Sequence, residues 1–79
     1  MGADTRAESE TSVVEIVVNG KPVAIFAGAT VHDFLAAKRM TDAMAIVECN
    51  GEILPRGAYG DTLLRAGDRL EVVHAVGGG

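Results

Sequence analysis

Asn19-Gly20 separates two runs of strand periodicity, and no other feature restricts the fold as much. Before it, Val14, Ile16 and Val18 alternate with Glu15 and Val17. After it, Val23 and Ile25 continue the alternation over residues 21–26. Both Asn and Gly tolerate positive φ, as a two-residue hairpin turn requires. The chain therefore starts its fold with an antiparallel pair. Gly28 breaks the pattern, and Thr30 follows as a helix N-cap, with Asp33 placed to reach back to it. Val31, Phe34 and Leu35 form one apolar face at helical spacing, with the stem of Lys38 beside them, and the helix is expected to end near Met40. Thr41-Asp42 reads as a turn. Ala45 to Cys49 reads as a third strand, Asn50-Gly51 as a second turn, and Ile53-Leu54 as a short strand before Pro55. Residues 56–62 read as loop, with Tyr59 as a lid on the core. Leu63 and Leu64 return to the core, and Ala66-Gly67-Asp68 turns the chain into a last strand near 69–75.

Strand, strand, helix, strand, short strand, strand is an α+β order, and one ten-residue helix can cover one face of a sheet of four or five strands. The expected fold is a ubiquitin-like β-grasp with a mixed sheet, its last strand beside its first in the middle. Three segments are expected: a disordered polar extension over residues 1–12, a folded domain over 13–76, and a flexible tail over 77–79. That tail, Gly77-Gly78-Gly79, leaves directly from the last strand. Glycine has no Cβ, so such a run enters a slot too narrow for other residues. A compact domain that presents a slender carboxylate suggests that the carboxylate of Gly79 is the working group.

Composition narrows the function. The 79 residues make one domain, and 48% hydrophobic content argues for a folded chain. The net charge is −4, half of it in residues 1–12, where Asp4, Glu8 and Glu10 stand against Arg6. There is no basic patch and only three aromatic residues, Phe26, Phe34 and Tyr59, which argues against nucleic-acid binding. No apolar run approaches the ~20 residues of a membrane span, and no signal peptide is visible. A single cysteine, Cys49, excludes an internal disulfide and fits a reducing cytoplasm. His32 and His74 have no partner at metal-ligand spacing, so His32 reads as a surface helix residue and Cys49 as a small inert hydrophobe. No phosphate-binding glycine motif is present, so any nucleotide chemistry belongs to a partner. Glu48, Glu52, Asp61, Asp68 and Glu71 read as a solvated face, with Asp68 serving the turn before the last strand. Val17 and Val73 are expected side by side on the central strands, pointing away from the helix, as a docking surface or as cross-strand stabilisation.

Val18-Asn19-Gly20, Gly28-Ala29-Thr30-Val31, Asn50-Gly51-Glu52-Ile53-Leu54-Pro55-Arg56, Gly67 to Val73 and Ala75-Val76-Gly77-Gly78-Gly79 together resemble the ThiS family, the small sulfur carriers of thiamine thiazole biosynthesis. The match runs in register over residues 13–79. The chain departs from the family at Phe26, where proline is common, at Cys49, where a charged or aliphatic residue is usual, and in its long N-terminal extension. The resemblance implies that a partner, an E1-like adenylating enzyme of the ThiF type, uses ATP and Mg²⁺ to activate Gly79. A persulfide sulfur donor then converts the carboxylate to a thiocarboxylate, and a thiazole synthase of the ThiG type receives the sulfur. The chain would be a co-substrate with no cofactor of its own and no catalytic or metal-binding residues. Partner contacts would fall on Gly78, Gly77, Val76, Ala75, His74, Val73, Glu71 and Val17. Two other readings stay open. One is a carrier for another pathway, such as a molybdopterin synthase small subunit or a cysteine-biosynthesis carrier. The other is a ubiquitin-like interaction module without sulfur chemistry.

Overall fold

A computed structural model describes residues 12–74. The expected extension over residues 1–12, apart from Ser12, the last two residues of the expected domain, Ala75 and Val76, and the expected tail, Gly77, Gly78 and Gly79, lie outside the described residues. The elements are β1 (Val13–Val18), β2 (Lys21–Phe26), α1 (Val31–Ala37), β3 (Ala45–Cys49), β4 (Glu52–Ile53) and β5 (Arg69–His74), with short 3-10 turns at Asp42–Met44 and Arg56–Asp61. The sheet runs β2-β1-β5-β3-β4. β1 pairs antiparallel with β2 and parallel with β5, and β5 pairs antiparallel with β3. The last strand is therefore central, in a mixed sheet of five strands with one main helix.

Local chemistry explains most of these boundaries. Asn19 and Gly20 both take positive φ, 51° and 85°, which matches the twist of the β1–β2 hairpin. Asn50 and Gly51 repeat the device between β3 and β4 at 52° and 88°. At the start of α1 the Thr30 hydroxyl accepts from the Asp33 N–H at 3.1 Å, and the Asp33 carboxylate accepts from the Thr30 N–H at 3.0 Å. The Thr30 N–H on that carboxylate, helped by the Thr30 hydroxyl beside it, holds the Asp33 carboxyl below its ordinary value. The helix stops at Ala37, three residues short of the expected Met40. Arg39 adopts φ 61°, its N–H donates to the Ala36 carbonyl, and the Met40 N–H donates to the Leu35 carbonyl. This is a Schellman ending with arginine where glycine is usual. Two further expectations shift. The short strand is Glu52–Ile53 rather than Ile53-Leu54, and Leu63 is 46% exposed while Leu64 alone enters the core.

Ile16, Val31, Phe34, Leu35, Ala45, Val47, Tyr59, Leu64 and Leu70 fill the space between α1 and the sheet. Tyr59, on the second 3-10 turn, is buried, and its hydroxyl donates to the Ala45 carbonyl at 2.9 Å. The loop read over 56–62 is thus a pinned lid, which leaves neither the ring nor the phenol unpartnered.

His32 is exposed on α1, as expected, and its Nδ1 meets Asp42 Oδ1 at 2.9 Å. Asp42 raises the imidazole above its ordinary value of 6.5 by hydrogen bonding and by charge, and Asp33 adds a smaller push. Because the folded value is raised, the pair stabilises fully below 6.5 and its contribution is lost as pH rises through the folded value. His32→Gln should therefore lower the melting temperature at about pH 5.5 and have no effect at about pH 8.5. A difference from wild type that stays constant across this range would exclude the charged pair.

Candidate functional site: the root of the C-terminal strand

The alternation of β5 splits its side chains between two faces. Leu70 and Val72 turn toward α1 and pack in or against the core. Arg69, Glu71 and Val73 turn to the open face, and Val73 is 58% exposed. His74 has the parity of Val72 and lines a groove of about 320 Å³ on the helix side, with Val18, Asn19, Phe34, Lys38 and Met40. His74 and Val73 therefore serve different faces. The Lys38 ammonium lies 5.9 Å above the Phe34 ring in the wall of that groove.

Register overturns one expectation. Val17 pairs with Arg69, and Val73 pairs with Ile46 on β3. Val73 stands four residues beyond Arg69, about 13 Å along the strand, so the two valines share a face without touching. A parallel pair has no connecting turn to set its register. Here the Gly67 N–H donates to the Glu15 carbonyl at 2.8 Å and the Val17 N–H to the Asp68 carbonyl at 2.9 Å, and these fix it.

The apolar neighbour of Val73 is Ile46, which is 44% exposed. Next along the same two strands Glu48 pairs directly with Glu71. Like charges placed opposite one another weaken a sheet. The only ion pair among the described residues is that of His32 with Asp42, so neither glutamate has an ion-pair partner among them. Ile46 and Glu48 escaped sequence reasoning because only the β3–β5 register brings them to Val73 and Glu71.

Asn19 also escaped notice as more than a turn residue. Its side-chain oxygen accepts from the Val72 N–H at 2.8 Å, and its amide nitrogen donates to the Val72 carbonyl at 3.2 Å. At the other end of β5, the Asn50 oxygen accepts from the Arg69 N–H at 2.9 Å and its amide donates to Asp68 Oδ1 at 3.2 Å. Asp68 serves the turn as expected, its second oxygen accepting from the Arg65 N–H at 2.8 Å. Burial pushes the Cys49 thiol above its ordinary value, and Asp68 and Glu52 push it further, which disfavours the thiolate needed for reactivity. Among the described residues no three His, Cys, Asp or Glu side chains gather as a metal site would require. No helix there is long and apolar enough to cross a membrane.

The mixed five-stranded sheet, its central last strand and the one main helix among the described residues define a ubiquitin-like β-grasp domain. Residues 16–79 match the ThiS family, and the chain belongs to that family. It is 40% identical over 50 residues to the sulfur carrier protein ThiS of Bacillus subtilis, covering 63% of this chain and 76% of that one. The crystal structure of the thiamine biosynthesis protein ThiS from Geobacter metallireducens superposes with a TM-score of 0.69 at 35% identity, over 84% of this chain and all of that one. A thiazole synthase of Magnetococcus marinus is 36% identical over 66 residues, which is 84% of this chain and 20% of that protein. The chain thus spans about a fifth of the length of the thiazole synthase relatives it matches.

Proposed function

We propose that this chain is a sulfur carrier and that its reactive atom is the Gly79 carboxyl carbon. The observation that carries the reading is the family match, which runs through residue 79 and so includes the three glycines beyond β5. A carboxylate with a pKa near about 3.5 is ionised at neutral pH and does not yield to nucleophiles. Activation has to come from outside the chain. An adenylating enzyme holding ATP and Mg²⁺ joins the carboxylate oxygen to the α-phosphorus and releases pyrophosphate. The outer sulfur of a persulfide attacks the acyl carbon and AMP departs. A second thiol then attacks the inner sulfur of the S–S bond, takes it into a disulfide, and leaves the thiocarboxylate on Gly79. The chain is a co-substrate in this scheme. Cys49, with its raised thiol, stays out of it, and a reducing cytoplasm is the compartment that suits both the thiol and the thiocarboxylate.

The receiver we favour is a thiazole synthase forming the thiazole of thiamine. Its support is that thiazole synthases of two bacteria carry a segment like this chain within their own polypeptides. The test is incubation with the cognate adenylating enzyme, ATP, Mg²⁺ and a persulfide donor. The intact mass should rise by the difference between sulfur and oxygen, on the C-terminal peptide. An unchanged mass, with an enzyme active on another carrier, would defeat the reading.

For the partners we propose the open face around Val73, with Ile46, Glu48 and Glu71, as the docking surface, and Val17 as its outlying edge. An apolar pair beside an unneutralised acidic pair suits a partner that offers an apolar contact flanked by Lys or Arg. Val73→Asp should weaken binding of the adenylating enzyme by about 1–3 kcal/mol, because a third negative charge would be desolvated there without a counter-charge. The melting temperature should change little, since the side chain is exposed in the free protein. Equal affinity in a folded variant would move the docking surface off this face.

A further inference from the structure

Both Asn-Gly turns lie beside β5, and in both the asparagine side chain accepts a backbone N–H of that strand; only Asn19 also donates to a strand carbonyl. The Asn19 N–H donates to the Leu70 carbonyl at 2.9 Å, which continues the β1–β5 ladder one rung past Val18. The Asn19 backbone then turns away into the hairpin. Its side chain makes the next rung instead, accepting from the Val72 N–H and donating to the Val72 carbonyl. An asparagine amide carries the same donor and acceptor as a peptide group, so it can do this where the chain has left. Among the described residues, β5 past Val72 is paired on its β3 side only, at Val73 with Ile46 and at His74 with Ala45. The clamp is thus the last hold on the β1 side within the described part of β5.

We propose that Asn19 is a positioning residue for the C-terminal glycine: by clamping Val72 it holds in place the end of β5, the strand that precedes residues 75–79 in the sequence. This rests on the carrier reading and adds a residue to it. A strand end paired on one side opens more readily than one paired on both. A partner that must receive the terminus in a narrow channel would then have to order that end on binding, which weakens the encounter without touching the chemistry.

The molecule contains its own control. Asn50 sits at the same left-handed φ in the same kind of turn and clamps the start of β5 at Arg69, the end away from the glycines. Asn19→Gly and Asn50→Gly both keep a residue that accepts positive φ, and each removes one clamp. With the adenylating enzyme and carrier as varied substrate, Asn19→Gly should raise KM about fivefold, with kcat changing less than about twofold. Asn50→Gly should leave both constants unchanged. Amide exchange at Val72 and Val73 should quicken in the first variant only. Asn19→Asp keeps the acceptor but sets an oxygen against the Val72 carbonyl, and should show the same rise in KM even if Asn19→Gly fails to fold. Equal KM for wild type and the Asn19 variants overturns the positioning role, as does an equal rise in Asn50→Gly, which would mark a loss of general stability. A wild-type chain that is never sulfurated overturns the carrier reading, and the positioning role with it.

Discussion

Gly78→Val should fold as the wild type does and lose thiocarboxylate formation by about 100-fold or more. The core set between α1 and the sheet is built from residues between Ile16 and Leu70, so the melting temperature is expected to hold. The cost falls on the reaction. On the proposed mechanism, valine brings a branched Cβ with restricted φ, ψ and χ1 to a place where the backbone would thread a partner's channel. A displacement of the reacting carbon by about 1 Å is enough for a loss of that size. Gly78→Ala should fall between valine and wild type, because it adds the Cβ without the branch. Initial rates of mass gain, with circular dichroism on the same samples, decide the matter. Valine turning over at the wild-type rate would remove the narrow channel from the mechanism. An unfolded valine variant would make the glycines structural.

Leu35→Ala carries the largest expected effect on stability, about 3 kcal/mol. Leu35 is fully buried on the inner face of α1, at the centre of a core of nine side chains. Its carbonyl also accepts the Met40 N–H in the helix's Schellman ending, though the substitution leaves that bond in place. The loss is therefore one of packing: transfer of the side chain plus the cavity left behind. A domain of this length is only just large enough for a single core, and 3 kcal/mol of a total near 5–15 is a large share. The urea midpoint should drop while the slope of the transition stays the same. A midpoint within experimental error of wild type would mean that α1 is not the principal wall of the core.

Most of the fold was legible because the residues that decide it act locally. Alternation marked β1 and β2, Asn19-Gly20 marked their turn, and Thr30 with Asp33 marked the start of α1. The end of α1 was not legible, since Arg39 occupies the left-handed position that glycine ordinarily signals. The order of strands followed from the element types, but the register of β5 against β1 did not. It is set by hydrogen bonds from Gly67 to Glu15 and from Val17 to Asp68, between segments about 50 residues apart in sequence. That is why Val17 and Val73 were expected together and lie apart. The candidate site divided in the same way. Val73 and Glu71 could be read from the strand, whereas Ile46, Glu48 and the Asn19 clamp exist only after pairing.

The two clamps also bear on how the protein ages. An asparagine followed by glycine is the pair most prone to lose its amide, because the next backbone nitrogen can close on the side-chain carbonyl with no side chain in the way. In Asn19 and Asn50 that carbonyl is held by the N–H of Val72 or Arg69 and the amide is drawn to an acceptor, so the side chain is restrained while the fold persists and ring closure is expected to be slowed. Deamidation should then proceed through opened molecules, at a rate that tracks local stability. Each event at Asn19 would leave a carboxylate facing the Val72 carbonyl. A batch of the protein thus keeps a chemical clock at the turn that clamps its central strand.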